Sequence, residues 1–404
     1  MDVLCIVVFI FSFTVFTHGV PGKAPLVPLN DGHSMPTIAL GTFLLNSSKG
    51  GKEPEGDETE KAVLWAFGAG YRHIDTSWVD QVEYQVGDAV NRVVHAYNLL
   101  HEVTTTQKVC DVACYINKYK KRLEKASNSK VPPVSREEIF ITTKLWNDAH
   151  APKAVVPALR RSLEELRLSY VDLYLMHWPL GQFANGTYDK THYIATWRAM
   201  MAAQKLNLTR SIGVCNFHKG MLENIRKRNL TMPAVLQIEW NINLQQASLL
   251  AYCREHNISV MGYTPFGALM DKKRADAPTR IGDAQLAKMA AKYGKNVPQI
   301  LLRYAVEMGV TPIPKSITTT RISQNIDIFD FNLNETDKIT LQGFDRRFRT
   351  APQAQWRDHT FYPFDRSNLT TTSTTSRSTR TQRYVLYKMN LDDLNSRIKF
   401  RDIV

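Results

Sequence analysis

Long apolar runs are nearly missing from this chain. Val3–Phe16 is the one candidate, and it is too short to cross a bilayer comfortably, which excludes a multi-span membrane protein. Small residues at alternate positions of Thr17-His18-Gly19 follow it, so residues 1–19 read as a signal peptide cut near Gly19–Val20. The usual basic n-region is lacking, and an uncleaved anchor is the alternative. Cysteine is scarce as well: five in 404 residues, with Cys5 inside the leader. A chain this long buries a large core without staples, so a disulfide-dense scaffold is excluded. Cys110, Cys114, Cys215 and Cys253 allow three pairings or free buried thiols. A Gly-rich phosphate turn after a first strand is also absent. Gly68-x-Gly70 precedes a strand instead of following one, which argues against an open dinucleotide-binding sheet. No metal-ligand set is assigned.

What is present is an ordinary globular balance, 44% hydrophobic and 22% charged, with a net charge of +13. That charge is uneven. Lys108–Arg136 carries +6 and Arg366–Val404 carries +5, so 11 of the 13 positive charges lie in two segments outside the expected main fold. They read as a solvated surface segment and a loose tail, not as a nucleic-acid surface. Seven Asn-x-Ser/Thr sequons occur, at Asn46, Asn185, Asn207, Asn229, Asn257, Asn334 and Asn368. Chance gives about three, so the excess points to a secreted, N-glycosylated protein.

From Leu29 onward, short apolar runs alternate with amphipathic stretches. Strands are expected at Thr37–Leu40, Arg72–Asp75, Ile139–Thr143, Val171–Met176, Ser211–Val214, Val235–Ile238, Ser259–Met261 and Val310–Ile313. Helix-like segments lie between them, at Asp57–Ala69, Pro152–Leu166, Thr191–Leu206, Lys219–Arg228, Ala247–His256, Asp283–Ala291 and Pro298–Met308. Eight strands alternating with helices predict a closed (β/α)8 barrel, of the TIM type, over residues 24–365. Asn30-Asp31-Gly32 predicts a hairpin cap before the first strand. The 64 residues between Asp80 and Lys144 exceed what a βαβ unit needs, which places an insertion at about 94–132, with a basic helix-like piece at Tyr115–Lys125. It is either a lid beside the mouth or a decoration. Residues 366–404 form a Ser/Thr/Arg-rich flexible linker and a basic tail.

Working residues of such barrels stand at the C-terminal ends of strands. Here Asp75, Lys144, His177, Asn216, Gln237, Tyr263 and Lys315 all fall at such ends. One polar strand end means little, but seven in register predict a ligand site at one mouth. The segments Gly70-Tyr71-Arg72-His73-Ile74-Asp75, Thr143-Lys144-Leu145-Trp146, Leu175-Met176-His177-Trp178-Pro179, Ile212-Gly213-Val214-Cys215-Asn216-Phe217 and Ile313-Pro314-Lys315-Ser316 resemble the motifs of the aldo-keto reductase family. The likeness runs from about Pro25 to Asp365, broken by the insertion, and is most similar to the secreted insect branch that includes 3-dehydroecdysone reductases.

The resemblance implies a hydride donor and a proton donor acting on one carbonyl. Asp75 matches the family's aspartate, Lys144 its lysine and His177 its carbonyl-orienting histidine. Its proton-donor tyrosine falls at Asp80, and Gln81, Glu83, Val86 and Gly87 hold the register beyond it. An aspartate beside a lysine is expected to be ionised, and a carboxylate without its proton cannot act as the acid. The resemblance also implies NADP(H). Thr42, Asn216, Gln237 and Tyr263 match the nicotinamide side, with Cys215 in place of a serine. Lys315, Ser316, Thr318, Arg321 and Asn325 match the adenosine and 2′-phosphate cluster. A Lys and an Arg beside hydroxyl donors suit a phosphate. Trp78, Trp146, Trp178 and Phe183 are expected to line an apolar pocket for a small carbonyl compound or steroid. Three readings stand: a monomeric secreted reductase, a non-catalytic barrel that binds NADP(H) or an apolar ligand, and a structural subunit. Partners from nucleic acid, or stable membrane insertion after cleavage of the leader, are not expected.

Overall fold

The computed structural model describes residues 24–43, 56–105, 131–271 and 274–366. The expected leader, the basic piece Tyr115–Lys125 and the tail from residue 367 lie outside the described residues, as do Cys110, Cys114 and the sequons at Asn46 and Asn368.

A hairpin comes first, β1 (Leu26–Pro28) with β2 (Ser34–Pro36). Then follow β3 (Leu40–Gly41), α1 (Glu58–Ala69), β4 (His73–Asp75), α2 (Glu83–Thr105), β5 (Phe140–Leu145), α3 (Pro152–Leu166) and β6 (Val171–Met176). A second small hairpin, β7 (Gly181–Gln182) and β8 (Tyr188–Asp189), leads to α4 (Tyr193–Lys205), β9 (Thr209–Cys215), α5 (Lys219–Arg226), β10 (Val235–Glu239), α6 (Ala247–Glu255) and β11 (Ser259–Tyr263). The chain continues through α7 (Ala284–Tyr293), α8 (Val297–Glu307), β12 (Val310–Ile313), α9 (Thr319–Ile326) and α10 (Glu335–Gln342). Strands β3, β4, β5, β6, β9, β10, β11 and β12 form one eight-stranded sheet in that order, with every pairing parallel. A parallel bridge from Gly41 to Lys315 closes the ring, with Gly41 N donating to Pro314 O at 3.0 Å. This is the (β/α)8 barrel.

The first strand is shorter than the apolar run Thr37–Leu40 suggests. Thr37 N donates to Pro25 O in the leading hairpin, and Ala39 N to Pro312 O across the seam. Pro312 and Pro314 accept there but carry no N–H to donate back, so the ladder at the seam is thin. The hairpin sits at the N-terminal end of the strands. Its Leu29 and Met35 are shut in with Ala39, Phe140, Leu173, Leu175, Val235, Met261 and Ile313, which fill the barrel interior. A larger apolar layer fills the space between the sheet and the outer helices. Helix α3 shows how. Pro152 starts it without wasting an N–H, and the buried Val155, Leu159, Leu163 and Leu166 recur on one face.

The turns that carry helices back into strands share one geometry. After α4, Asn207 takes a left-handed conformation (φ 56°); its N–H meets Gln204 O at 2.9 Å and the next N–H, of Leu208, meets Ala203 O at 3.4 Å. Asn229 with Leu230 and Asn257 with Ile258 repeat it after α5 and α6, and Gly70 with Tyr71 does so after α1. This is the Schellman ending, which needs a residue tolerant of positive φ and then an apolar one. Three of the seven sequons are therefore also helix-ending motifs, and in two of them the hydroxyl residue, Thr209 or Ser259, starts the next strand. Asn334 caps α10 by accepting from Asp337 N at 2.8 Å, and the Asn185 amide oxygen accepts from Thr187 N at 3.0 Å. All five of these asparagines are exposed.

Helix α2 runs unbroken from Glu83 to Thr105, past Val94 where the insertion is expected to start. Gly87 lets this helix lie against α3; a Cβ there would stand 2.3 Å from Leu166 O. Cys215 and Cys253 are buried free thiols, so the pairing that joins them is excluded.

Candidate active site

The predicted residues converge where the strands end at the mouth. Lys144, within β5, donates from Nζ to Asp75 Oδ1 at 2.6 Å and to Thr76 O at 2.9 Å. The other Asp75 oxygen accepts from Gln237 Nε2 at 2.7 Å. Asp75 and Lys144 are both buried, so this is a closed, hydrogen-bonded ion pair. Burial works against the Lys144 charge, but the carboxylates of Asp75 and Asp80 outweigh it and hold the amine above its ordinary range. Lys144 stays an ammonium.

Asp80 ends the short turn Trp78–Asp80 that follows β4. It takes a long hydrogen bond from Thr42 Oγ1 at 3.4 Å, and Thr42 Oγ1 also meets Thr76 Oγ1 at 2.9 Å. Asp80 forms no salt bridge among the described residues. Lys144 favours its ionised form, as the sequence implied, but holds it less strongly than adjacency suggests. Burial pushes its carboxyl up to about 6, and the attraction of Lys144 only partly offsets this. His177, just past β6, goes the other way: burial and the Lys144 charge hold its imidazole well below its ordinary range. It is neutral at physiological pH and cannot serve as a replacement acid. Its Nδ1 is buried without a protein partner.

On the next strands, Asn216 is held at φ 61° and donates from Nδ2 to His177 O at 3.0 Å, while its Oδ1 accepts from Tyr263 Oη at 2.8 Å. Cys215 is fully buried, and burial pushes its thiol up, so it remains protonated. Thr42, Asn216, Gln237 and Tyr263 thus surround the Lys144–Asp75 pair. Beyond the seam, Lys315 bridges to Gly41 and leads into α9. Ser316 Oγ accepts from Thr318 N at 3.0 Å, Thr318 is the N-cap of α9, Arg321 stands exposed in its first turn, and Asn325 is buried on its inner side. Lys315, the exposed Arg321 and the N-terminus of α9 form a donor set that fits a phosphate. Among the described residues no His/Cys/Asp/Glu group could hold a metal, and no helix is long and apolar enough to cross a membrane.

The aromatic wall is partly as expected. Trp146 lies edge-on to His177 with ring centres 5.1 Å apart, and Trp178 is buried beside it. Trp78 does not join them: the Arg161 guanidinium of α3 covers its ring at 5.0 Å, which turns it to the outer helices. Phe183 also stays out, 46% exposed at the tip of the β7–β8 hairpin. Their place is taken by Trp356, which the sequence reading missed. It meets Trp178 at 5.0 Å and Trp146 at 6.0 Å, and its Nε1 donates to Gln182 Oε1 at 2.9 Å. Tyr362 and Phe364 complete the cluster. The signal was there: four aromatics crowd into residues 356–364 after the last helix. The anchor was not legible. Glu239, fully buried at the end of β10, accepts from Thr350 N at 2.6 Å and Ala351 N at 3.2 Å and pins this segment across the mouth.

The arrangement is that of a nicotinamide-linked oxidoreductase barrel. The chain belongs to the aldo/keto reductase family, whose model matches residues 37–345. Aldo-keto reductase AKR2E4 of Bombyx mori is 39% identical over 343 residues, covering 84% of this chain and 99% of that protein. Aldo-keto reductase family 1 member A1 of Xenopus tropicalis is 36% identical over 334 residues, covering 80% and 89%. Among solved structures, Bombyx mori AKR2E4 in complex with NADP superposes with a TM-score of 0.71 at 38% identity, over 85% of this chain and all of that one. AKR2E5 complexed with NADPH gives 0.72 at 33% identity, over 85% and 94%.

Proposed function

We propose that this chain is a secreted, N-glycosylated, monomeric NADP(H)-dependent reductase of small apolar aldehydes or ketones, steroids among them. Its turnover is limited by Asp80. The observation that carries the reading is the buried Lys144–Asp75 pair at 2.6 Å, with Asp80 beside it at the site of the missing proton donor. Lys315, Ser316, Thr318 and Arg321 would hold the extra phosphate, and Asn216, Gln237 and Tyr263 the nicotinamide end. The cofactor supplies hydride.

The chain's own residues then have separate tasks. Trp146, Trp178 and Trp356 exclude water and hold an apolar body. Neutral His177 orients the carbonyl oxygen by a hydrogen bond. Asp80 delivers a proton only while it is protonated. With its carboxyl near 6, about a tenth is protonated at pH 7, so carbonyl reduction rises as pH falls through about 6. Above that, its negative charge faces the oxyanion that hydride arrival creates, which is unfavourable. A non-catalytic barrel that keeps the dinucleotide is the second reading, and the same unpaired Asp80 favours it.

The test pairs quenching of tryptophan fluorescence by NADPH with NADPH oxidation on a panel of carbonyls from pH 5 to 8. The reductase reading expects binding, and turnover that climbs toward acid pH. Binding with no turnover at any pH in the wild-type chain leaves the second reading; no binding refutes both.

A further inference from the structure

We propose that the mouth of this barrel selects a cationic C=N acceptor, the protonated imine (iminium) of an apolar amine, over the neutral carbonyl of the same shape, with Asp80 as its counter-ion. The inference rests on the reductase reading above and narrows its substrate class.

The first argument is a charge count. Lys144 is already committed, with Asp75 at 2.6 Å and Thr76 O at 2.9 Å, and Asp75's second oxygen is held by Gln237 at 2.7 Å. That pair is closed and neutral. Asp80 is touched by hydroxyls alone, the long contact from Thr42 and the Ser77 side chain, and it forms no salt bridge among the described residues, so Lys144's charge reaches it only at a distance and its ionised form keeps most of one negative charge uncompensated. His177 is neutral and adds no positive charge nearby. A desolvated carboxylate without a partner attracts a cation strongly. Asp80's upward shift is what such an unpaired charge shows before its partner arrives.

The second argument is the wall. Trp356 stands 5.0 Å from Trp178 and 6.0 Å from Trp146, and Trp146 lies beside His177. Indole faces attract a desolvated cation as well as an apolar body.

The third is the balance of the reaction. For a carbonyl, hydride joins carbon, the C=O π pair moves to oxygen, and a proton must follow from an acid that is mostly deprotonated at neutral pH. For an iminium, hydride joins carbon, the C=N π pair becomes the nitrogen lone pair, and a neutral amine results. No proton donor is required. The reduced nicotinamide dinucleotide supplies the two electrons and leaves with one positive charge, so Asp80 faces a cation before and after the step. The same residue that handicaps one reaction assists the other.

The test uses the full chain and two readouts. Calorimetry compares benzyltrimethylammonium with its uncharged isostere neopentylbenzene, at pH 7.5 and pH 5, in wild type, Asp80→Asn and Asp80→Tyr. The cation is expected to bind about tenfold tighter at pH 7.5, and most of that preference should be lost at pH 5 and in both variants, leaving only the smaller part the indoles give. NADPH oxidation is then followed with 3,4-dihydroisoquinoline and with α-tetralone at pH 7.5. The imine should be reduced faster by wild type, and Asp80→Tyr should invert the order. Equal binding of cation and isostere by wild type overturns the proposal, as does a preference undiminished in a folded Asp80→Asn or Asp80→Tyr protein. The pH arm needs no variant. Failure of the underlying reading looks different: no quenching by NADPH, with cation preference judged by calorimetry alone.

Discussion

At the floor of the barrel, Met35 and Leu29 are enclosed by Phe140, Leu173, Val235 and other apolar side chains. At the mouth, the same strands end in a buried ion pair, an unpaired carboxyl at Asp80 and a histidine nitrogen without a partner. The floor buries almost only apolar side chains, whereas the mouth leaves charges and donors open. That difference separates what keeps the chain folded from what a ligand completes, and it can be tested by exchanging one residue at a time.

The largest effect is expected at the mouth. Asp80→Tyr should raise carbonyl reduction at pH 7.5 by about 10²–10⁴-fold, the usual value of a positioned acid. Steady-state NADPH oxidation measures it, and an unchanged rate would place the defect elsewhere. At the floor, Met35→Ala should lower unfolding free energy by about 2–5 kcal/mol in denaturant titration. NADPH quenching should stay as it was; a lost cofactor site would show that floor and mouth are one unit.

Between the two ends stands Glu83, buried at the start of α2, where Thr143 Oγ1 donates to it at 2.5 Å. Burial pushes its carboxyl up to about 7, against the hydrogen bonds from Thr143 and Ser162. A raised carboxyl binds more protons folded than unfolded, so this group's contribution to stability declines as pH rises from about 4 to about 7. Glu83→Gln should remove that decline, leaving the variant about 3 kcal/mol better relative to wild type at pH 8 than at pH 4 in paired urea melts. Parallel curves would show that Glu83 carries no such charge penalty. The smallest effect is remote from the chemistry. Arg321→Ala should weaken NADPH binding about tenfold and leave NADH unchanged, as loss of one phosphate contact does. Equal losses for both would remove Arg321 from the phosphate site.

The floor and the strands were largely legible in the sequence. Apolar runs of the right length and turn residues at their ends mark β5, β6, β9 and β10, and Asn30-Asp31-Gly32 marks the cap. These are local signals. Lys144, Asp75, His177, Asn216 and Gln237 were legible because a barrel gathers its strand ends at one mouth. What escaped depends on distant contacts. The upward shift of the Asp80 carboxyl follows from burial, which neighbours in sequence do not report. Trp78 carries the same side chain whether it faces the pocket or Arg161. The excess of sequons was read as glycan sites, although Asn207, Asn229 and Asn257 also meet the backbone needs of three helix endings.

The strap from Phe348 to Phe364, held down by Glu239, makes the wall over the mouth a joint product of two parts of the chain. Trp146 and Trp178 stand on loops that leave the barrel strands, whereas Trp356 arrives from beyond the last helix and rests on both. Its place depends on one buried carboxylate holding Thr350 N and Ala351 N. The outline of the mouth can therefore be redrawn from the strap's anchor without touching Asp75, Lys144 or His177.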